Sequence, residues 1–182
     1  LRVYYVAKNG HIIELCNDWF WNDLTNQSGC SFALTRALAT SNPASYWKGE
    51  PKNENLRVYF FERKAGHVCE LSWIKGAGKW VCTDLSSKFK EIKDLLTESN
   101  LAATEMRDSS PSVYFISSDM FISEMAWCNP NWVCNEIHGQ TVRVARDGAV
   151  VAAMVKDTEP RVYFKTEDCR VSELWWGMNP PK

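Results

Sequence analysis

Leu56-Arg57-Val58-Tyr59-Phe60 is one of four copies of a short stretch that returns along the chain. The others are Leu1-Arg2-Val3-Tyr4-Tyr5, Pro111-Ser112-Val113-Tyr114-Phe115 and Pro160-Arg161-Val162-Tyr163-Phe164. Their tyrosines stand at 4, 59, 114 and 163, which sets intervals of 55, 55 and 49 residues. A repeat of roughly 40–55 residues marks a chain assembled from stacked copies of one supersecondary unit. Each copy is trailed by a glutamate: Glu14, Glu70, Glu124 and Glu173. From arginine to glutamate is 12 residues in the first and last copies and 13 in the second. Packing accounts for a recurring Val-Tyr. It does not account for a guanidinium and a carboxylate that return in register.

Each repeat resolves into short strand-like pieces. In the second, Ala37-Leu38-Ala39-Thr40 is small and mostly apolar, and Leu56 to Phe61 is β-branched and aromatic. His67 to Trp73 alternates apolar and polar residues, the period of a half-buried strand, and Lys79-Trp80-Val81-Cys82 follows it. Asn9-Gly10, Ala65-Gly66, Gly76-Ala77-Gly78 and Asn129-Pro130 supply turns. The third repeat reads Leu101 to Thr104, Val113 to Ile116, Phe121 to Trp127 and Asn131 to Cys134; the fourth reads Val151 to Met154, Arg161 to Phe164 and Arg170 to Trp175. Four antiparallel strands per repeat, arranged radially, make a β-propeller blade. The fold class expected is therefore all-β: a single propeller domain over 1–182, with repeats 1–36, 37–100, 101–150 and 151–182. The strand-like pieces come in groups of three, four, four and three, about three and a half blades. Open sheet edges invite pairing, so closure by oligomerisation or by missing sequence is expected. Two stretches break the pattern. Ser87 to Leu96 spaces Phe89, Ile92, Leu95 and Leu96 as a helix would, and 40–55 reads as a surface loop.

Composition narrows the function classes. With 21 basic and 22 acidic residues the net charge is −1, which lacks the positive field that nucleic acid needs. No apolar run approaches the ~18 residues of a membrane span. The chain opens on a strand motif without an initiator Met, so it is expected to be processed, truncated or incompletely represented. Localisation stays open: soluble, cytoplasmic or secreted. The seven cysteines hold no Cys-x-x-Cys pair and the three histidines are scattered, which argues against a metal site. The cysteines read as small buried hydrophobes, with a Cys128–Cys134 disulfide as the alternative. His11 and His67 both follow a glycine and read as scaffolding of the repeat rather than as bases. Nine tryptophans are the outlier, serving either core packing or a stacking platform.

These motifs resemble the fungal fucose-specific lectin family, and the resemblance runs over essentially the whole chain. Its blades carry a similar Ala-Ala strand, an Arg-Val-Tyr strand, a strand ending in Glu and a Trp-bearing strand. The resemblance implies a mostly six-bladed propeller that binds L-fucose between adjacent blades, with no metal or other cofactor. One blade would supply Arg and Glu for the sugar hydroxyls and ring oxygen. The next would supply tryptophans for the apolar face and methyl group. Carried onto this chain, the first pocket is Arg2 and Glu14 with Trp73 and Trp80. The second is Arg57 and Glu70 with Trp127 and Trp132. The third keeps Glu124 and Trp176, but Ser112 stands in place of its arginine, so it is expected to be weak or silent. The fourth has Arg161 and Glu173 and takes its indoles from another chain or segment, with Trp19 and Trp21 as candidates. Trp47 and Trp175 read as packing. The partners implied are fucose-containing glycans and a second copy of the chain, a dimer completing the propeller.

A single Arg and Glu a dozen residues apart is ordinarily an exposed ion pair of little energetic weight. Three in register, with tryptophans at the matching offset, favour a non-catalytic sugar-binding site. The competing reading is an enzyme on this scaffold, since fold does not fix function. The chain also resembles lectin-like propellers recruited into fungal secondary-metabolite pathways, some of which accelerate cycloadditions. A degenerate propeller serving as a protein-interaction module is the third reading. No nucleophile–base pair or carboxylate dyad stands out for hydrolysis.

Overall fold

The structure is a computed structural model that describes residues 2–16, 20–30, 33–41, 46–47, 50–51, 56–62, 67–86, 100–105, 110–137, 143–146, 148, 150–154 and 160–175. The chain divides into two compact units, Leu1–Ile92 and Lys93–Lys182.

The first unit holds two antiparallel sheets. β1 (Arg2–Val6), β2 (Ile12–Cys16) and β3 (Trp21–Asp23) form the first, in that order. A five-residue helix, α1 (Leu24–Ser28), follows at once; the Asp23 carboxylate caps it by accepting the Asn26 N–H, and Gly29 closes it at φ 68°. The second sheet is ordered β4 (Ala33–Ser41), β7 (Arg57–Glu62), β8 (Val68–Ile74) and β9 (Lys79–Asp84). A small separate ladder pairs β5 (Tyr46–Trp47) with β6 (Glu50–Pro51). β4 is longer than the expected 37–40 because a register irregularity between Ala33 and Leu38 lets pairing with β7 extend backwards. The stretch 40–55, expected as a loop, therefore carries the end of β4 and the β5–β6 ladder.

The second unit repeats the plan. β10 (Ala102–Glu105), β11 (Pro111–Ile116), β12 (Ile122–Cys128) and β13 (Asn131–Glu136) form one sheet; β14 (Val150–Met154), β15 (Pro160–Lys165) and β16 (Val171–Trp175) form another. The main sheets thus hold three, four, four and three strands, all antiparallel, as the repeat predicts. The helix expected at 87–96 lies outside the described residues. No described helix is long and apolar enough to cross a membrane.

Alternation decides what is buried. In the first unit Val58, Phe60, Cys69 and Leu71 on the second sheet pack with Ile12 and Leu24 from the first sheet and its helix. In the second unit Tyr114, Ile116, Ile122, Val162 and Phe164 cluster with Val144. Val144 is held by its N–H donating to the Met120 carbonyl (2.8 Å), and Ala145 donates to the Lys165 carbonyl (2.8 Å).

In three of the sheets the turn before the second motif strand holds a left-handed residue. Gly10 supplies it at φ 86°, whereas Met120 and Cys169 take the equivalent place at φ 68° and 62°. Side-chain bonds hold those two turns: Ser117 and Thr166 each donate to an aspartate two residues on, Asp119 and Asp168.

The cysteine expectations need correction. A disulfide joins Cys30 to Cys82 across 52 residues. Cys128 and Cys134 do not pair with each other. They lie on one hairpin, but Cys128 faces Asn131 and Cys134 faces Met125, which puts them three rungs apart.

Candidate functional site

The four tyrosine–glutamate pairs occupy one register. Tyr4 lies opposite Glu14, Tyr59 opposite Glu70, Tyr114 opposite Glu124 and Tyr163 opposite Glu173. Two residues before each tyrosine, Arg2, Arg57 and Arg161 share the tyrosine's face, because side chains alternate along a strand. The arginine–glutamate separation of 12 or 13 residues is thus the length of one hairpin. The extra residue in the second copy falls in its turn, where Glu62 bonds His67 across five residues and Ala7 bonds His11 across four.

The first copy is the most completely defined. The Arg2 Nη1 donates to Glu14 Oε1 at 2.5 Å, and the Tyr4 hydroxyl donates to the same oxygen at 2.9 Å. The Asn22 amide donates to Glu14 Oε2 at 2.9 Å. Glu14 is 1 % exposed, so these bonds decide its charge state. Burial pushes its pKa up, but the hydrogen bonds from Arg2, Asn22 and Tyr4 outweigh this and hold it below the ordinary glutamate value. Burial also opposes the charge on Arg2, and Glu14 again prevails. Tyr4 is pushed well above an ordinary phenol, first by burial and then by the neighbouring Glu14. The node is therefore a fixed carboxylate beside a permanently charged guanidinium. One nitrogen of Arg2 is committed to Glu14, and the half-exposed side chain keeps other donors for a ligand.

Two tryptophans lie beside it, Trp73 partly exposed and Trp80 buried in the apolar cluster. Trp73 on β8 and Trp80 on β9 are cross-strand partners with ring centroids 5.8 Å apart. The Tyr4 ring meets Trp80 edge-on at 6.4 Å. Of the residues predicted as one pocket, Arg2 and Glu14 bond each other beside Tyr4 on the first sheet, while on the second sheet the buried Trp80 meets Tyr4 and Trp73 lies against Trp80.

The remaining predicted residues fall as follows. Arg57 Nη1 bonds Glu70 Oε2 at 2.8 Å on the second sheet. Trp127 and Trp132 are cross-strand partners 5.8 Å apart on β12 and β13, repeating the Trp73–Trp80 arrangement. In the third copy Ser112 is buried where the other copies carry arginine, and burial, then Glu124, raises the pKa of Tyr114. Arg161 is hydrogen-bonded to Glu173. Its guanidinium also lies over the exposed ring of Trp175, 5.3 Å from the centroid, so Trp175 is a surface cation–π partner and not the packing residue expected. Trp21 is exposed and meets Tyr5 edge-on at 5.9 Å. Trp19 and Trp176 lie outside the described residues, as does the side chain of Trp47.

Sequence reasoning missed Tyr4 and Asn22 as direct partners of Glu14. The signal for Tyr4 was its own period, which matches that of the glutamates. His11 and His67 take equivalent places, each with Nδ1 on an aspartate: Asp23 at 2.6 Å and Asp84 at 2.7 Å. Among the described residues no three His, Cys, Asp or Glu gather as metal ligands.

No family model matches the sequence, and no curated protein matches it. Solved structures do resemble the fold. The SapL1 lectin, in complex with α-methyl fucoside, superposes with a TM-score of 0.68 at 24 % identity, covering 98 % of this chain and 57 % of that one. The Aleuria aurantia lectin, a six-bladed β-propeller that recognises fucose, gives 0.65 at 22 % identity, with 98 % and 56 % covered. A fucose lectin from Kordia zhangzhouensis, in complex with methyl-fucoside, gives 0.53 at 19 % identity, with 79 % and 94 % covered. At these identities the likeness establishes the fold: the sheets are β-propeller blades. The chain spans little more than half the length of the SapL1 and Aleuria lectins.

Proposed function

We propose that this chain is a carbohydrate-binding lectin, or the part of one, that recognises L-fucose or fucosylated glycans without a metal. The observation that carries the reading is the first site. There a buried, bonded carboxylate, a half-exposed arginine and Tyr4 on one sheet stand beside Trp80 on the neighbouring sheet, with Trp73 against it. Fixed donors and acceptors select hydroxyl positions, and indole faces cover the apolar side of a deoxy sugar. The three similar structures, described as lectins or bound to fucosides, support the same ligand class. Each site is expected to bind modestly, at about −5 to −8 kcal/mol, with several sites combining to give avidity. A second copy of the chain is the partner this reading adds: its indoles would complete the Arg161–Glu173 site.

Titration calorimetry with methyl α-L-fucoside tests it. The 182-residue chain should bind saturably. Arg2→Ala should weaken the first site about ten- to a hundredfold, as loss of a charge-assisted hydrogen bond of about 1.5–3 kcal/mol implies. Trp73→Ala should weaken it through lost apolar contact. Absence of saturable heat up to about ten times the millimolar range of feeble ligands would reject the fucose assignment.

A further inference from the structure

The Cys30–Cys82 disulfide ties together two different sheets of the first unit. Cys30 follows Gly29, the residue that closes α1 at the end of the first sheet. Cys82 lies on β9 of the second sheet, two residues beyond Trp80 and hence on the same face. The candidate sugar site is divided in the same way. Arg2, Tyr4 and Glu14 come from the first sheet, and Trp73 and Trp80 from the second. Tyr4, Trp73, Cys30 and Cys82 all pack against one apolar cluster that contains Trp80. Among the described residues this disulfide is the one covalent cross-link between the two halves of the site. Both of its cysteines are half-buried, at the margin of the apolar cluster rather than inside it.

From this placement we propose that Cys30–Cys82 is a thiol–disulfide exchange site that sets the binding competence of the first Arg–Glu–Trp pocket. The proposal rests on the sugar-binding reading for what the pocket holds, and on the disulfide's position for how it is controlled. The reductant is a dithiol. Its thiolate attacks one sulfur of the disulfide, forming a mixed disulfide and releasing the other cysteine as a thiolate that takes up a proton. The second thiol of the reductant then displaces the first cysteine and leaves as a cyclic disulfide. Two electrons and two protons pass to the protein. In the oxidised chain the stretch after α1 is pinned to β9, so the Tyr4 edge and the Trp80 ring keep their contact. In the reduced chain this covalent tie is gone, and the indoles can shift against Arg2 and Glu14. Both cysteines lie in the first unit, and the Arg161–Glu173 pair lies in the second.

The test treats the intact 182-residue chain with dithiothreitol under native conditions. Iodoacetamide and mass measurement count the thiols, hydrogen exchange reports local opening, and calorimetry with methyl α-L-fucoside reports binding. The expected result is two additional alkylated cysteines, faster exchange in 20–30 and 79–84 but not in 110–128, and about tenfold weaker binding at the first site, within the usual range of coupling between linked sites. Reoxidation should restore all three. A Cys30→Ser/Cys82→Ser chain should behave as the reduced form and ignore dithiothreitol. Three outcomes overturn the proposal: no reduction without denaturant, unchanged exchange after reduction, or opening of both units together, which would make the disulfide a general staple. Exchange that responds as expected while neither form binds fucoside would overturn the sugar reading and with it the control of sugar binding, and leave a redox-sensitive junction between the sheets.

Discussion

Glu14 shows how one residue links folding to pH. Its folded pKa lies below the ordinary value because Arg2, Asn22 and Tyr4 donate to it, although burial works the other way. The unfolded chain therefore takes up its proton at a higher pH than the folded chain does. The stabilisation that Glu14 contributes is present above the ordinary carboxylate range and is lost as pH falls through the depressed folded value. Glu14→Gln should consequently cost most near neutral pH, where the wild type is charged, and the gap should narrow at about pH 3, where unfolded carboxylates are protonated. Denaturant melts of both proteins at the two pH values measure this, and an equal gap at both would contradict it. The pairing of Arg2 with Glu14 was legible because hairpin length is written in the sequence as a recurring separation of 12 or 13 residues. Asn22 was not legible. It reaches Glu14 from β3, whose offset from the motif differs between the first two repeats: Glu14 faces Asn22 eight residues on, while Glu70 faces Thr83 thirteen residues on.

Elements are joined by a device that the fixed period conceals. The N–H of Ile12, the first residue of β2, donates to the Thr25 hydroxyl at 2.9 Å, and Val68, the first residue of β8, donates to Ser86 at 2.8 Å. In both sheets an Asp-Leu-hydroxyl triplet follows the outer strand: Asp23-Leu24-Thr25 and Asp84-Leu85-Ser86. The aspartate holds His11 or His67, the leucine is buried, and the hydroxyl accepts from the long inner strand. Thr25→Val keeps the shape but orphans a buried N–H, so it should cost about 1–3 kcal/mol, and Ser86→Ala should behave alike. Chemical denaturation measures both, and losses below about 0.5 kcal/mol, the range of an ordinary surface substitution, would refute the role. The histidines were legible as scaffolding, but their partners were not, because the β8–β9 hairpin is longer than the β2–β3 hairpin and moves the triplet out of phase. The Cys30–Cys82 pair was hidden for a related reason. A disulfide is chosen by distance in space, and 52 residues separate its ends.

At the scale of the whole molecule, the strand count and the antiparallel plan followed from the repeat alone, since alternation and turn residues fix a hairpin locally. The division into two compact units did not follow; its boundary at 92–93 falls inside the stretch whose helical spacing set it apart. The faces of the sheets lead to the last prediction. On the second sheet Val58, Phe60 and Leu71 are fully buried against the first sheet's side of the cluster. By register Val3, Tyr5 and Leu15 are their equivalents on the first sheet, yet Val3 is 46 % and Tyr5 40 % exposed, with Trp21 at 59 % beside them. The covering face this pattern calls for is one like that of Arg2, Tyr4 and Glu14. The fourth sheet offers such a face in Arg161, Tyr163 and Glu173, flanked by exposed Trp175 and Val171. A second copy placing that face on Val3, Tyr5 and Trp21 would bury apolar surface of the kind that monomers seldom leave open, and would bring indole to the Arg161–Glu173 pair. Light scattering should therefore give about twice the 20.9 kDa chain mass. Trp21→Asp should shift the chain toward monomer while leaving binding at the Arg2–Glu14 site in place. A wild-type chain that stays monomeric across the micromolar range would mean that some other surface covers this face.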